Sequence, residues 1–518
     1  MARYFFPVLG IAVFLAFFKL GAFKLFDVDE AVFAQASNEM VTSGNWITPT
    51  YNGVNRYDKP IFIYWLMALS YKAFGVNEFA ARFPSAVAAV LLACSIYLFA
   101  GASCGEFSFQ RPFMKREKRA FYAALSFMLS LYYAAYSHAA VTDMTLSLFI
   151  SLSLFSFYMH AVCGRRPYYA YGFYLFSALA FLTKGLIGIL IPFGVAGIFM
   201  LAIKRLAGLK KLWSLPGLII FLVVSAPWYT AETMANGKEF LYMFFIKHHF
   251  LRYTSVISGH SGPVYYYIPV LLLGAFPWAA MALTGARNSV KDADPAGLFA
   301  LVWASFVLVF FSFSRTKLPD YILPAMPAVA ILAANGIMYQ KEGWTGFANG
   351  LAGVLALAGG VALLLLPRFA PAGLPLGWTV WLAIPLLAIA LISFAGRNKI
   401  HTGLLGALML VFLVVVLAVA LPPANNFLQG TLYKYSIYAK QNLPADGELI
   451  CYDINNPSVV FYSGRKITGA DNTEDLVADL SQPGQAMIIT RSKYSGELAK
   501  MGLKELQAAP DYVLFEKS

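Results

Sequence analysis

Charge is scarce in this chain. Only 13% of its 518 residues are Asp, Glu, Lys or Arg, against roughly a quarter in ordinary soluble domains. That shortfall excludes a soluble globular enzyme, and a hydrophobic content of 59% excludes a disordered chain. Cysteine is scarcer still. Cys94, Cys104, Cys163 and Cys451 show no CxxC pair and no disulfide framework, which removes a stapled secreted scaffold. A net charge of +13 would suggest nucleic acid in a soluble protein. Here no nucleic-acid partner is expected, because the positions of the charges matter more than their sum.

What is present is a succession of long apolar runs. They fall near 4–23, 83–104, 120–137, 144–163, 170–183, 185–203, 214–231, 264–284, 297–314, 320–339, 345–366, 377–395 and 403–421. Runs of about 17–25 apolar residues cross ~30 Å of hydrocarbon as helices, so an all-α polytopic membrane bundle of about thirteen spans is expected. The first run follows Arg3 and lacks an A-x-A cleavage site, so it reads as a retained helix. Short loops with Arg111, Lys115, Arg116, Lys118 and Arg119, with Arg165 and Arg166, with Lys204, Arg205, Lys210 and Lys211, with Arg287 and Lys291, and with Arg397 and Lys399 are basic. By the positive-inside rule they are cytoplasmic together with the N-terminus. The long segments 24–82, 232–263 and 422–518 then face outward.

Two outward segments carry recognisable structure. Residues 27–43 place Val28, Val32, Ala36 and Met40 on one helical stripe. Residues 60–75 are too short and polar-ended to span easily and suit an interfacial helix, with Tyr64 and Trp65 at headgroup level. A fourteenth span there is the alternative. In the tail, GELICYD, QAMIIT and YVLFEK read as strands, and NPSVVFYSG, NTEDLVADL and KYSGELAKMG as helices or turns. The division expected is a transmembrane domain over 1–421 and a small outward α/β domain over 422–518, without a phosphate-loop or dinucleotide fingerprint.

Ionisable residues at helix ends in a membrane protein are expensive and often functional. On the outward side the topology gathers Asp27, Asp29, Glu30, Asp58, Lys59, Asp143, Lys184, His248, His249, Arg252, His260, Arg315, Lys317 and Asp320. A carboxylate such as Asp29 can serve as base, acceptor-orienting group or metal ligand, or can simply complement a helix N-terminus. Asp143 after Thr142 has the same two readings. Lys184, beside Gly185, suits a phosphate, or snorkels. Arg252, Arg315 and Lys317 add cations suited to a phosphorylated lipid. Asp58 and His249 are the candidate ligands of a divalent metal, although adjacent helical histidines point about 100° apart and no zinc spacing is matched. Tyr265, Tyr266 and Tyr267 form an interfacial belt or stack on a sugar.

Taken in order, DVDEAVFAQASNEMVTSGNW, YDKPIFIYW, AVTDM, LTKGL, APWY, the HHFLRYTSVISGHSGPVYYYIPVLLLGAFPW stretch and FSRTKLPDYILPAMPA resemble the polyprenyl-phosphate-dependent glycosyltransferases of the GT-C class. The pattern is most similar to the bacterial lipid A aminoarabinose transferases of the protein-mannosyltransferase-like superfamily. It covers about the first 330 residues. The resemblance implies catalytic roles for Asp29 and Asp143. It implies substrate binding by Lys59, Lys184 and Arg252, whose cations would face the donor phosphate, together with Glu30, Tyr64, His260, Tyr267 and Lys317. It also implies inverting transfer of 4-amino-4-deoxy-L-arabinose, or a related sugar, from a polyprenyl phosphate carrier to lipid A at the periplasmic face of the inner membrane. Asp58 stands where those transferases carry Glu, which loosens both the metal and the sugar inference. Another acceptor (O-antigen, core glycan or a protein hydroxyl) keeps the same donor. A flippase or transporter would place its polar site at mid-membrane, often between internal repeats; none is visible here.

Overall fold

A computed structural model describes residues 2–103, 113–256, 259–340, 343–370, 376–396 and 399–517. Cys104, Arg111 and Arg397 lie outside the described residues, as do the side chains of Lys115 and Lys211. The chain divides into two units. One comprises Met1–Leu20, Tyr57–Ile63 and Arg82–Ala420; the other comprises Gly21–Arg56, Tyr64–Ala81 and Leu421–Ser518.

The first unit is helical, and the protein is multi-pass. Among the described residues, 8 helices are long and apolar enough to cross a membrane, or up to 9 if the pair Val264–Gly274 and Ala279–Lys291, bent by 107°, counts as one. Several expected spans come out shorter, as in Ala2–Phe17 and Ile187–Ala202. One expected loop is instead helix: Leu215–Leu241 kinks at Gly237 (φ 58°) and continues through widened π-helical turns over Tyr242–Leu251. Only a glycine accepts that backbone angle readily. Beyond it, the apolar sequence EFLYMFFIKHHFL holds no Gly or Pro to stop the helix.

Small residues let these helices approach closely. A Cβ on Gly285 would sit 1.8 Å from the Leu332 carbonyl oxygen, and one on Gly336 would sit 2.0 Å from that of Met281. Helices Ala279–Lys291 and Met326–Met338 therefore touch backbone to backbone. A Gly336→Leu substitution is expected to lower stability by about 3 kcal/mol or more, because a carbonyl cannot yield as a side chain can. Gly350, with nothing within 4 Å of its would-be Cβ, should accept alanine without loss. Thermal midpoints in detergent check both.

The second unit is built around a sheet. The hairpin β1 (Thr50–Tyr51) and β2 (Val54–Asn55) precedes it in the chain. Strands β3 (Glu448–Tyr452), β4 (Ile467–Ala470), β5 (Ala486–Arg491), β6 (Lys504–Ala508) and β7 (Tyr512–Glu516) then form the order β4-β3-β5-β7-β6. The β3 pairings with β4 and β5 are parallel, whereas β5–β7 and β6–β7 are antiparallel. Both faces of β3 are buried, as parallel strands require. Leu449 and Cys451 face one core with Leu432, Tyr435 and Ala439, while Ile450 and Tyr452 face the other with Leu476 and Leu498. That first core explains a second departure from expectation. The chain does not leave helix at residue 421 but continues as Leu421–Asn442, whose 432/435/439 stripe covers the sheet. Pro422 and Pro423 follow the widened turns over Val416–Ala420, and the helix runs on past their missing amides. Cys94 and Cys451 are free thiols, whereas Cys163 is disulfide-bonded, a pairing the sparse cysteines do not announce.

Candidate active site

In the first unit, three helices bring one cation and two anions together. Asp143 opens the helix Asp143–Phe157 behind its N-cap Thr142, Lys184 closes Tyr168–Lys184, and Asp320 lies in the turn Pro319–Ala325. Lys184 Nζ donates to Asp143 Oδ1 at 2.5 Å and to Asp320 Oδ2 at 3.0 Å. It also stands 5.3 Å from the Tyr321 ring centre. Next to it, Arg252 Nε donates to the Tyr321 hydroxyl at 2.8 Å. Asp58 and Asp320 both act electrostatically on Arg252, and Asp58, Lys59 and Arg252 on His248. The Lys59 ammonium lies 3.8 Å from the Asp58 carboxylate. Cations and carboxylates balance here: Lys59, Lys184 and Arg252 stand against Asp58, Asp143 and Asp320.

Tyrosines line this cluster. Tyr132 and Tyr136 stack with ring centres 5.4 Å apart, and the Tyr132 hydroxyl donates to the Pro319 carbonyl at 2.5 Å. Asp143 and Asp320 act on both rings' hydroxyls. Tyr267 is buried, its ring 5.5 Å from Lys317 Nζ. Asp320 stands among the outward ionisable residues without an assigned role in sequence, and Tyr132, Tyr136 and Tyr321 carry no sequence signal beyond a polar ring in an apolar run.

Lys317 is placed differently from its sequence reading. It is buried and donates to the carbonyls of Phe311 (3.3 Å), Ser312 (2.8 Å) and Ser314 (2.8 Å), closing the end of the helix Pro295–Ser312. A cation there satisfies orphan carbonyls and complements the helix dipole. Lys317→Met should therefore cost about 1.5–3 kcal/mol of stability, read as a lower thermal midpoint, and leave the donor KM within about twofold of wild type. Burial lowers the Lys317 pKa from its ordinary value. The backbone amide of Lys317 donates to the carbonyl of His260, and that histidine is exposed.

The second unit holds the DVDE run, and its acids do different things. Asp27 accepts from the Ser458 amide (2.8 Å), the Ser458 hydroxyl (2.5 Å) and Asn456 Nδ2 (3.1 Å). Burial pushes its carboxyl above the ordinary range, against the pull of those donors. Glu30 is buried and folds back to accept the Phe26 amide at 2.9 Å, a local cap on the turn before Asp29–Ser43. Asp29 is exposed at the first position of that helix, and no partner for its carboxylate occurs among the described residues. Tyr64, expected at headgroup level, is instead fully buried, accepting from Arg56 Nε at 3.0 Å and packing 5.5 Å from the Phe33 ring. The helix it sits on, Phe62–Phe74, is 13 residues long, too short to be a fourteenth span. As for a metal, the His249 side chain lies outside the described residues, and no group of three or more His, Cys, Asp or Glu suited to one occurs among the described residues.

Comparison with known proteins places this geometry in context. The family model described as dolichyl-phosphate-mannose-protein mannosyltransferase matches residues 58–230. The undecaprenyl phosphate-alpha-4-amino-4-deoxy-L-arabinose arabinosyl transferase of Aeromonas salmonicida is 29% identical over 501 residues, 92% of this chain and 88% of that protein. The Proteus mirabilis enzyme of the same name, numbered 2, is 30% identical over 392 residues, 73% of this chain and 68% of that protein. The crystal structure of ArnT from Cupriavidus metallidurans bound to undecaprenyl phosphate shares the fold, with a TM-score of 0.82 at 22% identity, over 100% of this chain and 99% of that one.

Proposed function

Because this chain belongs to the undecaprenyl phosphate-alpha-4-amino-4-deoxy-L-arabinose arabinosyl transferase family, we propose that it transfers 4-amino-4-deoxy-L-arabinose, or a related sugar, from a polyprenyl phosphate carrier to lipid A. The reaction breaks the bond between the sugar's anomeric carbon and the carrier phosphate and forms one to an acceptor oxygen with inversion. The phosphate leaves on its lipid. The observation that carries this reading is Lys184 held between Asp143 and Asp320, with Arg252 beside it on Tyr321.

Two cations on separate helices suit a leaving phosphate, whose charge grows as the bond breaks. Asp143 and Asp320 orient Lys184 before the donor arrives, and the donor phosphate then competes for the same ammonium. The carrier chain needs an apolar track, and an exposed series of Tyr242, Ile246 and Phe250 runs up to Arg252 along its helix. Asp29 is assigned the acceptor side. If the acceptor is itself a phosphate, little deprotonation is needed and its carboxylate orients the sugar or its amine.

In the membrane, helices Ala2–Phe17, Phe113–Met128, Tyr168–Lys184 and Ile187–Ala202, each about 24–26 Å long at 1.5 Å per residue, complete about thirteen crossings. That topology puts the transmembrane domain over 1–421, with the loop 24–82 and the α/β domain 422–518 in the periplasm of the inner membrane. Purified protein in proteoliposomes with a polyprenyl phosphate aminosugar and lipid A tests the reaction. Sugar appearing on lipid A supports it; donor that stays intact overturns it.

A further inference from the structure

The segment that leads into Asp29 is fastened residue by residue, and most of its fasteners come from the C-terminal part of the second unit. Lys24 exchanges two hydrogen bonds with Asn425, its amide donating at 2.9 Å and its carbonyl accepting at 2.8 Å. The Leu25 amide donates to the Tyr462 hydroxyl at 2.8 Å. Phe26 is taken by Glu30, as described above. Asp27 then takes three donors from Asn456 and Ser458, at the start of the helix Pro457–Ser463 that follows β3. Two residues on stands Asp29, with no partner of its own among the described residues.

A carboxylate that must meet a reacting sugar gains little from being exposed if its backbone wanders. A misplacement of about 1 Å can cost about a hundredfold in rate. The anchoring of Asp27 supplies what Asp29 lacks, a fixed origin two residues away. It also gives the α/β domain a task that its lack of any nucleotide or phosphate motif otherwise leaves open. Asn52 ties the same domain to the first loop a second time, pairing with the amide and carbonyl of Ile467 on the edge strand β4 at 3.0 and 2.9 Å. The β1–β2 turn carrying Asn52 is in turn gathered by Glu39, which accepts from Thr50 Oγ1 and the Asn52 amide, both at 2.7 Å.

We propose that Ser458 and Asn456 are positioning residues for transfer: through Asp27 they fix the backbone from which Asp29 acts, so that the C-terminal domain is a clamp on the catalytic loop. The proposal rests on the assignment of Asp29 made above. It predicts that losing the clamp slows the chemical step while leaving donor capture in place.

The test uses full-length protein in proteoliposomes with four variants: Ser458→Ala, the pair Ser458→Ala with Asn456→Ala, Ser458→Thr and Asp29→Asn. The double variant is expected to lose about tenfold or more in kcat with the donor KM within about twofold. Ser458→Thr, which keeps the hydroxyl, should recover most of the rate. Hydrogen exchange of residues 24–32 should quicken about tenfold in the double variant while β3 and β5 stay protected, separating a loosened loop from an unfolded domain. Wild-type kcat and exchange in the double variant would overturn the clamp, as would a rate loss that threonine fails to repair. If Asp29→Asn retains full activity, the assignment of Asp29 itself falls. If Asp29→Asn is inactive while the double variant is fully active, only the clamp falls.

Discussion

Asp29→Asn is expected to abolish transfer while the protein still inserts and folds. Of the acids in the DVDE run, Asp27 is spent on Asn456 and Ser458, and Glu30 on the Phe26 amide. Asp29 alone of the three is exposed and without a partner among the described residues. Asparagine keeps the shape of the side chain and the polarity that a helix start favours, so the change removes little besides the charge. Loss of a positioned carboxylate costs about 10²–10⁴ in rate. Turnover per folded molecule, with melting profile as control, measures it. A variant that keeps more than about a tenth of the wild-type rate would remove Asp29 from catalysis.

Replacing Lys184 has two separable consequences. Its ammonium is held by Asp143 and Asp320, and all three side chains are mostly buried. Lys184→Ala leaves two carboxylates facing one another without their shared cation, and breaking a buried pair in this way costs about 3–5 kcal/mol. The same change takes away a cation proposed for the leaving phosphate, so turnover should fall about a hundredfold or more. The double variant Lys184→Ala with Asp320→Asn tells the two apart. Removing one of the like charges should restore most of the lost stability, read as the thermal midpoint, but none of the lost turnover. If turnover returns along with stability, Lys184 is a structural tie and the phosphate is bound elsewhere.

How much of this was visible in the sequence differs from feature to feature. The tail segments GELICYD and YVLFEK contain β3 and β7, and QAMIIT covers β5 except for Arg491, because buried strands write themselves as short β-branched and aromatic runs. Strands β4 (ITGA) and β6 (KELQA) were illegible: the sheet edges they form are polar and half exposed, so no apolar run marks them. Helix extents failed where local signals misled. Two prolines at 422 and 423 look like a stop but the helix runs on past them, and the stretch after Gly237 looks like a loop but is one side of a kink.

The ionisable residues were legible as a set and not as pairs. Lys184 finds its carboxylates 41 and 136 residues away, and Asp27 its donors more than 400 away. Separations of that size carry no periodicity. Lys317 is the opposite case: its three carbonyls belong to Phe311, Ser312 and Ser314, close by in the chain, yet a lysine closing a helix end reads in sequence like one aimed at a phosphate. Composition tells that a charge is expensive in such a chain; only the fold tells what compensates it.

Decoration of lipid A with an aminosugar by this chain is tested most directly by mass spectrometry of lipid A. Cells lacking the gene are compared with cells expressing wild type or Asp29→Asn at equal membrane levels. A pentosamine-sized mass increase with wild type alone is the predicted result. Lipid A of unchanged mass in all three would contradict the account, leaving the fold in place and sending the search to other envelope glycans.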